Sequence, residues 1–437
     1  MRYNAPVLGG HSHGVRTDGD EVCLRESSDS RFEDKDLAST QECATRRVCM
    51  VTHSFYESDN RVMRYAEALA ACGDIVEVVA LRSKPSLPER EIINGVKLFR
   101  LQDRFAKSGT SKLSFLWPVL RFLFSSSQWL TQRHRQQPYD LIHVHNVPDF
   151  LVFAAWYPKL AGTKVILDIH DILPEFFGSK FRVGEPSVFL WGLRLVERFS
   201  ARFADHVILA NHLWFDRYTT RSARTQKCSV FINNVDTRVF QARSRRTPND
   251  KHVILFPGGL QWHQGLDIAI RAFKKLHRRL PDAEFHIYGD GDMKPRLKML
   301  AEELGVAASV RFFDPLGIRD IAAVMANADL GVVPKRADSF GNEAYSTKIM
   351  EFMSVGVPVV ASGTKIDRFY FDDSVVRFFV SGNDDSLADA MLEVLTNDEL
   401  RHALVTRGFE YAARNSWDIR KGEYLSLVDG LCRTCRK

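Results

Sequence analysis

The chain runs to 437 residues, of which 45% are hydrophobic and 26% charged, with a formal net charge of +6. These values exclude wholesale disorder, a collagen-like repeat and a polytopic membrane protein, and the length supports two or three domains with substantial cores. The basic excess is mild: it suits an anionic ligand or an anionic membrane surface, and no nucleic acid is expected from it.

Residues 1–46 are rich in Ser, Asp, Glu, Arg and Gly and lack apolar periodicity. They read as a disordered leader or a misassigned start, and Met1 to Gly14 lacks the apolar segment of a signal peptide. An α/β rhythm sets in at Arg47. The apolar run Val48–Val51 ends in Thr52, His53 and Ser54; Asp59 and Asn60 can cap a helix carrying Val62, Tyr65, Ala66 and Leu69; a second apolar run covers Ile75–Leu81. Strand, helix and strand in that order make a βαβ unit. Runs at Leu141–Val144, Val165–Asp168, His206–Leu209 and Val230–Ile232 continue the series. They are continuous rather than alternating, as strands covered on both faces require, so residues 47–240 are predicted to form a doubly wound, Rossmann-like α/β domain.

Within that domain Leu113–Trp129 is strongly apolar and aromatic, with Lys107, Lys112, Arg121, Arg133 and Arg135 around it. It is too short to span a bilayer, and Arg121 interrupts it. Two readings stay open. One is a helix lying in an anionic lipid surface, a peripheral membrane contact through residues 113–130; the other is a helix buried against the N-terminal sheet.

The polar stretch 241–251 is a predicted linker. A second α/β series follows, with strands at Val253–Phe256, Glu284–Tyr288, Val310–Phe313, Leu330–Val333 and Pro358–Ala361 and helices near 264–279, 292–304, 318–326 and 344–354. This gives a second Rossmann-like domain over 252–415. Residues 384–431 read as closing helices anchored by Trp417 and Tyr424, with 416–437 as the last helix and tail. Seven scattered cysteines, an odd number, indicate a reducing, cytoplasmic setting rather than a disulfide framework. Cys49 and Cys72 lie in apolar stretches and read as buried thiols. Cys432 and Cys435 form a CxxC without two further ligands nearby, so no metal site is expected.

Two tandem domains of this kind place a nucleotide ligand at the C-terminal ends of their strands. A dinucleotide fingerprint and a P-loop are both missing, which disfavours an NAD or ATP enzyme. The informative segment is Asp338–Ala361. Glu343 and Glu351 stand eight residues apart, two turns of one predicted helix, and so share a face. Glu343 falls at the helix start, where free backbone amides can hold an anion, and Glu351 can accept from both hydroxyls of a ribose. Taken alone, two such glutamates equally describe a solvated helix face.

In this sequence, however, the segment resembles the E-x7-E signature of the retaining GT-B glycosyltransferases, glycosyltransferase family 4. Other pieces match in order and spacing: Phe256-Pro-Gly-Gly-Leu with Gln264-Gly265, Ile287-Tyr-Gly-Asp-Gly291, Ile232-Asn-Asn-Val-Asp-Thr-Arg-Val-Phe240, Leu141-Ile-His-Val-His145 and Leu167-Asp-Ile-His-Asp171. The resemblance covers about residues 47–430. It implies two domains facing across a cleft, the C-terminal one binding a nucleoside diphosphate sugar and the N-terminal one the acceptor. It puts Glu351 on the ribose and Glu343 on the donor sugar, with Gly258, Gly259, Gln264 and Asn342 around the donor. It makes His145 the histidine that faces the donor sugar, and His170, Asp171 and Glu175 acceptor-side candidates. The implied reaction is metal-independent transfer of a sugar to a hydroxyl with retention, on a lipid-linked or growing surface glycan at the inner face of the cytoplasmic membrane. Asp290-Gly-Asp292 and Asp372-Asp373 read as turns rather than metal motifs.

The sequence departs from the family at two phosphate contacts. An Arg soon after the first donor-domain strand and a Lys just before the next glycine are replaced by Gly259 and Gln264. Lys348, Lys335 and Arg336 are the candidate substitutes. The acceptor-side glycine loop is also missing; Tyr56–Arg61 takes its place, with Arg61 as a candidate anion contact. Two other readings of the same fold are a nucleotide-sugar epimerase and a non-catalytic nucleotide-sugar-binding scaffold. Cations that cannot approach the cleft would favour the scaffold.

Overall fold

The computed structural model describes residues 45–103, 112–175, 187–242 and 251–433. The expectations for residues 1–44, Lys107, the bulk of the linker and Cys435 fall outside them. The first domain contains, in order, β1 (Arg47–Thr52), α1 (Asn60–Ala71), β2 (Ile75–Arg82), β3 (Arg90–Ile93), β4 (Val96–Asp103) and α2 (Lys112–Gln136). It continues with β5 (Leu141–His145), a 3-10 segment (Asp149–Ala155) leading into α3 (Trp156–Leu160), β6 (Lys164–Ile169), α4 (Val188–Phe203), β7 (His206–Leu209), α5 (Phe215–Arg221) and β8 (Cys228–Val230). The sheet order is β3-β4-β2-β1-β5-β6-β7-β8, parallel apart from the antiparallel β3–β4 pair.

The reason for each element is local. In α1 the Asp59 carboxylate caps the Val62 amide, and Val62, Tyr65, Ala66 and Leu69 form the buried stripe. β1, β5 and β7 are buried at every position, as continuous apolar runs demand. The sequence reading missed β3 and β4, which alternate between covered and exposed residues at the sheet edge. It also placed the last strand two residues late. Cys49 is buried, but Cys72 is exposed, because it follows the last turn of α1 rather than the stripe that faces the sheet.

One face of α2 is buried on the domain and the other is open. Phe122, Ser126 and Leu130, four residues apart, are buried, while Trp117, Arg121, Phe124 and Gln128 are exposed.

The second domain holds β9 (Val253–Pro257), α6 (Leu266–His277), β10 (Glu284–Tyr288), α7 (Lys294–Glu303), β11 (Val310–Phe313), α8 (Ile318–Met325), β12 (Leu330–Val333) and α9 (Thr347–Ser354). It ends with β13 (Val359–Ser362), α10 (Lys365–Tyr370), β14 (Arg377–Phe379), α11 (Asp384–Thr396) and α12 (Asp398–Arg414). Its parallel sheet runs β11-β10-β9-β12-β13-β14, so the strand order reverses beside β9, where α/β sheets open a ligand crevice.

The last helix, α13 (Trp417–Arg433), leaves this domain and packs on the first. Trp417, Tyr424, Val428 and Cys432 share an apolar cluster with Val48, Met50, Tyr65 and Leu69. The two chain crossings are tied together: Trp417 N donates to Val235 O at 2.8 Å, and Asn234 Nδ2 to Asn415 O at 2.7 Å.

Candidate active site

Asp168, wholly buried at the end of β6, organises the N-terminal wall. Arg61 donates from Nε to Oδ2 at 2.7 Å and from Nη2 to Oδ1 at 2.8 Å. His145 Nδ1 lies 3.1 Å and His170 Nε2 3.2 Å from Oδ2. Burial alone would raise this carboxyl, but Arg61 and the two histidines outweigh it and hold the group well below the usual carboxylate range. An ionised carboxylate only accepts, so both histidine nitrogens donate.

The two histidines are not equivalent. His145 is fully buried, stacked on His143 at 4.2 Å between ring centroids, with Nε2 lacking a partner; burial lowers its pKa and keeps it neutral. His170 is partly exposed and lines a cavity of about 810 Å³ between the domains. His145, expected to face the donor, is the last residue of its strand and its ring is covered here, whereas His170, one residue past β6, lines the cavity. Asn146 fixes that loop, accepting from His170 N at 2.7 Å and donating to Asp149 Oδ1 and Asp171 O, each at 2.8 Å. Burial raises the Asp171 carboxyl to about 6. Glu175 is engaged elsewhere, accepting from Arg221 Nη1 at 2.7 Å.

On the opposite wall Gly258 follows β9 with φ +136°, and its amide donates to Tyr288 O at 2.8 Å. That conformation calls for glycine, and a Cβ there would lie 2.6 Å from Lys348 Cε. Lys348 thus lies on the glycine turn, its Nζ 5.3 Å from the Phe256 ring centroid, rather than facing solvent. Glu351 is one turn further along α9 and lines the cavity. Burial raises its carboxyl and lowers the Lys348 ammonium, and the charge of each partly counters the shift of the other.

The remaining donor-side candidates are engaged with neighbouring protein groups. Lys335 is buried, with Nζ 3.0 Å from Asp367 Oδ2 and donating to Ala344 O at 2.6 Å. Arg336 Nη2 is 2.7 Å from both Asp267 oxygens, and its guanidinium sits 3.6 Å from the Trp262 ring centroid. Carboxylates distant in sequence thus already match the charge of both candidate phosphate contacts. The Gln261 side chain crowds Gly259, Gln264 Nε2 sits 3.1 Å from His263 Nε2, and Asn342 braces its loop by donating to Ala337 O and accepting from Lys365 N.

Glu343 does not share a helix with Glu351. The Asp338 carboxylate accepts from Gly341 N at 2.6 Å and holds a turn, so α9 begins only at Thr347. Glu343 points instead at the first domain, accepting from Arg217 at 2.7 and 2.8 Å and from Trp214 Nε1 at 3.3 Å, while its carbonyl accepts from Asn211 Nδ2 at 3.0 Å.

The cavity therefore brings together Arg61 and His170 from one domain, the connection Asn233–Phe240, and Thr347 and Glu351 from the other. Sequence reasoning missed His53, Arg64, Trp214 and Arg217. Arg64 had a signal, standing three residues after Arg61 on one helix face. Arg217 had none, since its partner lies 126 residues away.

Comparisons with known proteins agree with this architecture. Residues 58–234 match the family model of the glycosyl transferase 4-like domain, and residues 238–411 that of glycosyl transferases group 1. The chain is 28% identical over 379 residues to the phosphatidyl-myo-inositol mannosyltransferase of Mycobacterium leprae, covering 85% of this chain and 92% of that one. It is 33% identical over 186 residues to the D-inositol 3-phosphate glycosyltransferase of Corynebacterium jeikeium, a match to 40% of this chain that spans less than half, 43%, of that relative's length. The structure of Anabaena HepE in complex with UDP and glucose superposes with a TM-score of 0.65 at 18% identity, over 88% of this chain and 100% of that one, and so shares the fold. With both domain models matched in order and two α/β domains facing one cavity, the chain belongs to the GT-B glycosyltransferases of the glycosyltransferase 4 family.

Proposed function

We propose that the chain moves a glycosyl group from a nucleoside diphosphate sugar to a hydroxyl, with retention at the anomeric carbon. The observation that carries the reading is that Glu351 and His170, from different domains, line one cavity of nucleotide-sugar size. Glu351 accepts from the ribose hydroxyls. Lys348 and the amides at the start of α9 stabilise the charge that grows on the departing diphosphate. His170 Nδ1 accepts from a hydroxyl of the donor sugar. The bond from the anomeric carbon to the phosphate oxygen breaks with its electron pair on that oxygen. The acceptor oxygen forms the new glycosidic bond, and its proton passes to the departing phosphate. Glu343 reaches the sugar once Arg217 lets it go. These steps use the chain's own groups and need no metal. The names of the two relatives, a D-inositol 3-phosphate glycosyltransferase and a phosphatidyl-myo-inositol mannosyltransferase, support a polyol or lipid-linked acceptor.

The same reading includes a peripheral contact with anionic lipid at the inner membrane face. Among the described residues no helix is long and apolar enough to cross a membrane. Leu116, Trp117 and Phe124 of α2 are exposed, as are Trp156 and Leu160 of α3 and Val188, Trp191 and Phe199 of α4. Trp156 Nε1 donates to Ser127 Oγ at 2.8 Å, so α2 and α3 present their apolar residues side by side. α2 carries no acidic residue. Sedimentation with phosphatidylglycerol vesicles but not phosphatidylcholine vesicles, lost on joint Trp117→Ser and Phe124→Ser substitution, is the expected result.

The transferase reading is tested by calorimetric titration of UDP, GDP, ADP and CMP into the wild type and Glu351→Ala, followed by assay with the matching nucleotide-sugar and NMR of the product anomer. Micromolar binding of one nucleotide, lost in the variant, is expected. No binding of any of the four, or an inverted product, sinks the reading.

A further inference from the structure

We propose that Arg64 forms an anion subsite in the wall of the interdomain cavity, where it takes a substrate phosphate. Arg64 lies on α1, is 7% exposed and lines the cavity. Its Nε is buried without a hydrogen-bond partner. Nη2 donates to the neutral Asn233 Oδ1 at 3.2 Å, and the guanidinium lies 5.6 Å from the Trp417 ring centroid. Among the described residues no carboxylate pairs with it.

Arg61, one turn earlier on the same helix, is the control that the molecule provides. It shares the same Asn233 oxygen, at 3.0 Å, but its charge is matched by the two-point contact with Asp168. The acids nearest Arg64 in influence are Asp236 and Glu351; Asp236 pairs with Arg238 at 2.7 Å, and Glu351 stands beside Lys348 on α9. Burial pushes the Arg64 guanidinium down to about 10, so it stays charged at neutral pH. A buried cation without a counter-ion is destabilising until an anion completes it. A guanidinium is a planar fork whose donors match two phosphate oxygens, and Nε of this one lacks a partner. The cavity supplies the route for that anion.

The anion itself is argued from Arg64 alone; its source rests on the nucleotide-sugar reading. The phosphate belongs either to the donor diphosphate or to a phosphorylated acceptor. The test uses the full chain as wild type, Arg64→Gln and Arg64→Lys. Calorimetry follows inorganic pyrophosphate, the nucleoside diphosphates, and inorganic phosphate added to nucleotide-saturated protein. Thermal melting is recorded without ligand. Arg64→Gln is expected to weaken anion binding by about ten- to a hundredfold, with partial recovery in Arg64→Lys. Without ligand it melts at or above the wild-type temperature, because an unmatched buried charge has gone. A fall in nucleoside diphosphate affinity assigns the donor. Unchanged nucleotide affinity with weaker phosphate binding to the loaded protein assigns a phosphorylated acceptor. Pyrophosphate binding through Arg64 in a chain that binds no nucleotide upholds the subsite while removing the nucleotide-sugar reading. Unchanged affinities in Arg64→Gln, no anion binding by the wild type, or a ligand-free melting temperature lowered as if an ion pair had been cut, each overturn it.

Discussion

The loop between β12 and α9 on one wall of the cleft and helix α1 on the other handle positive charge differently. On the C-terminal wall Lys335 and Arg336 are matched by Asp367 and Asp267, and they hold the loop between β12 and α9 in place. On the N-terminal wall Arg61 is matched by Asp168, while Arg64 is not matched. A matched cation is part of the framework, and its removal strands a carboxylate. An unmatched one costs stability until a ligand arrives.

The largest expected effect follows from that contrast. Arg61→Met leaves the buried Asp168 without its counter-ion and should cost about 3–5 kcal/mol of unfolding free energy in urea. A loss under about 1 kcal/mol would erase the distinction between the two arginines. Next, His170→Ala should lower the transfer rate by about 10²- to 10³-fold, as loss of one donor-sugar contact in a preorganised site does. A rate within about threefold of wild type would return the choice to His145.

A smaller effect sharpens the comparison across the domain contact. Arg217 is 38% exposed in its side chain, so its pair with Glu343 contributes at most about 1 kcal/mol. Arg217→Ala should free Glu343 and tighten nucleotide-sugar binding by about two- to fivefold, read by calorimetry; weaker binding would show Arg217 to be a ligand contact itself.

The smallest effect is a pH dependence. Asp171 titrates near 6 in the folded chain, because of burial, and near 3.9 when unfolded. The folded state therefore holds its proton more tightly. The associated stabilisation is complete below about pH 4 and is lost as pH rises through 6. Asp171→Asn should flatten urea stability across that window, and an unchanged slope would show the carboxyl to be solvated.

Much of the fold was legible because strands buried on both faces leave uninterrupted apolar runs, and nearly all of those runs became strands of the two parallel sheets. β3 and β4 escaped because half-exposed edge strands mix charges with apolar residues; Ile92 is 71% exposed. In the site, Glu351 and Lys348 were legible as one helix face. The start of that helix was not, since Asp338 holds the preceding turn through a side-chain contact that periodicity does not register. The fates of Lys335 and Arg336 depended on Asp367 and Asp267, remote residues that no local pattern links to them. His145 and His170 each end an apolar run, and only the packing of His143 and Tyr65 against His145 separates the covered ring from the open one.

The return of α13 to the first domain also sets an order of assembly. Trp417, Tyr424 and Val428 cover Tyr65 and its neighbours, yet the ribosome makes them only after the entire second domain. A nascent chain therefore carries a bare apolar face on α1 until its final helix emerges. The domain synthesised first is the one completed last, and a product cut short before Trp417 would display that face to chaperones and proteases.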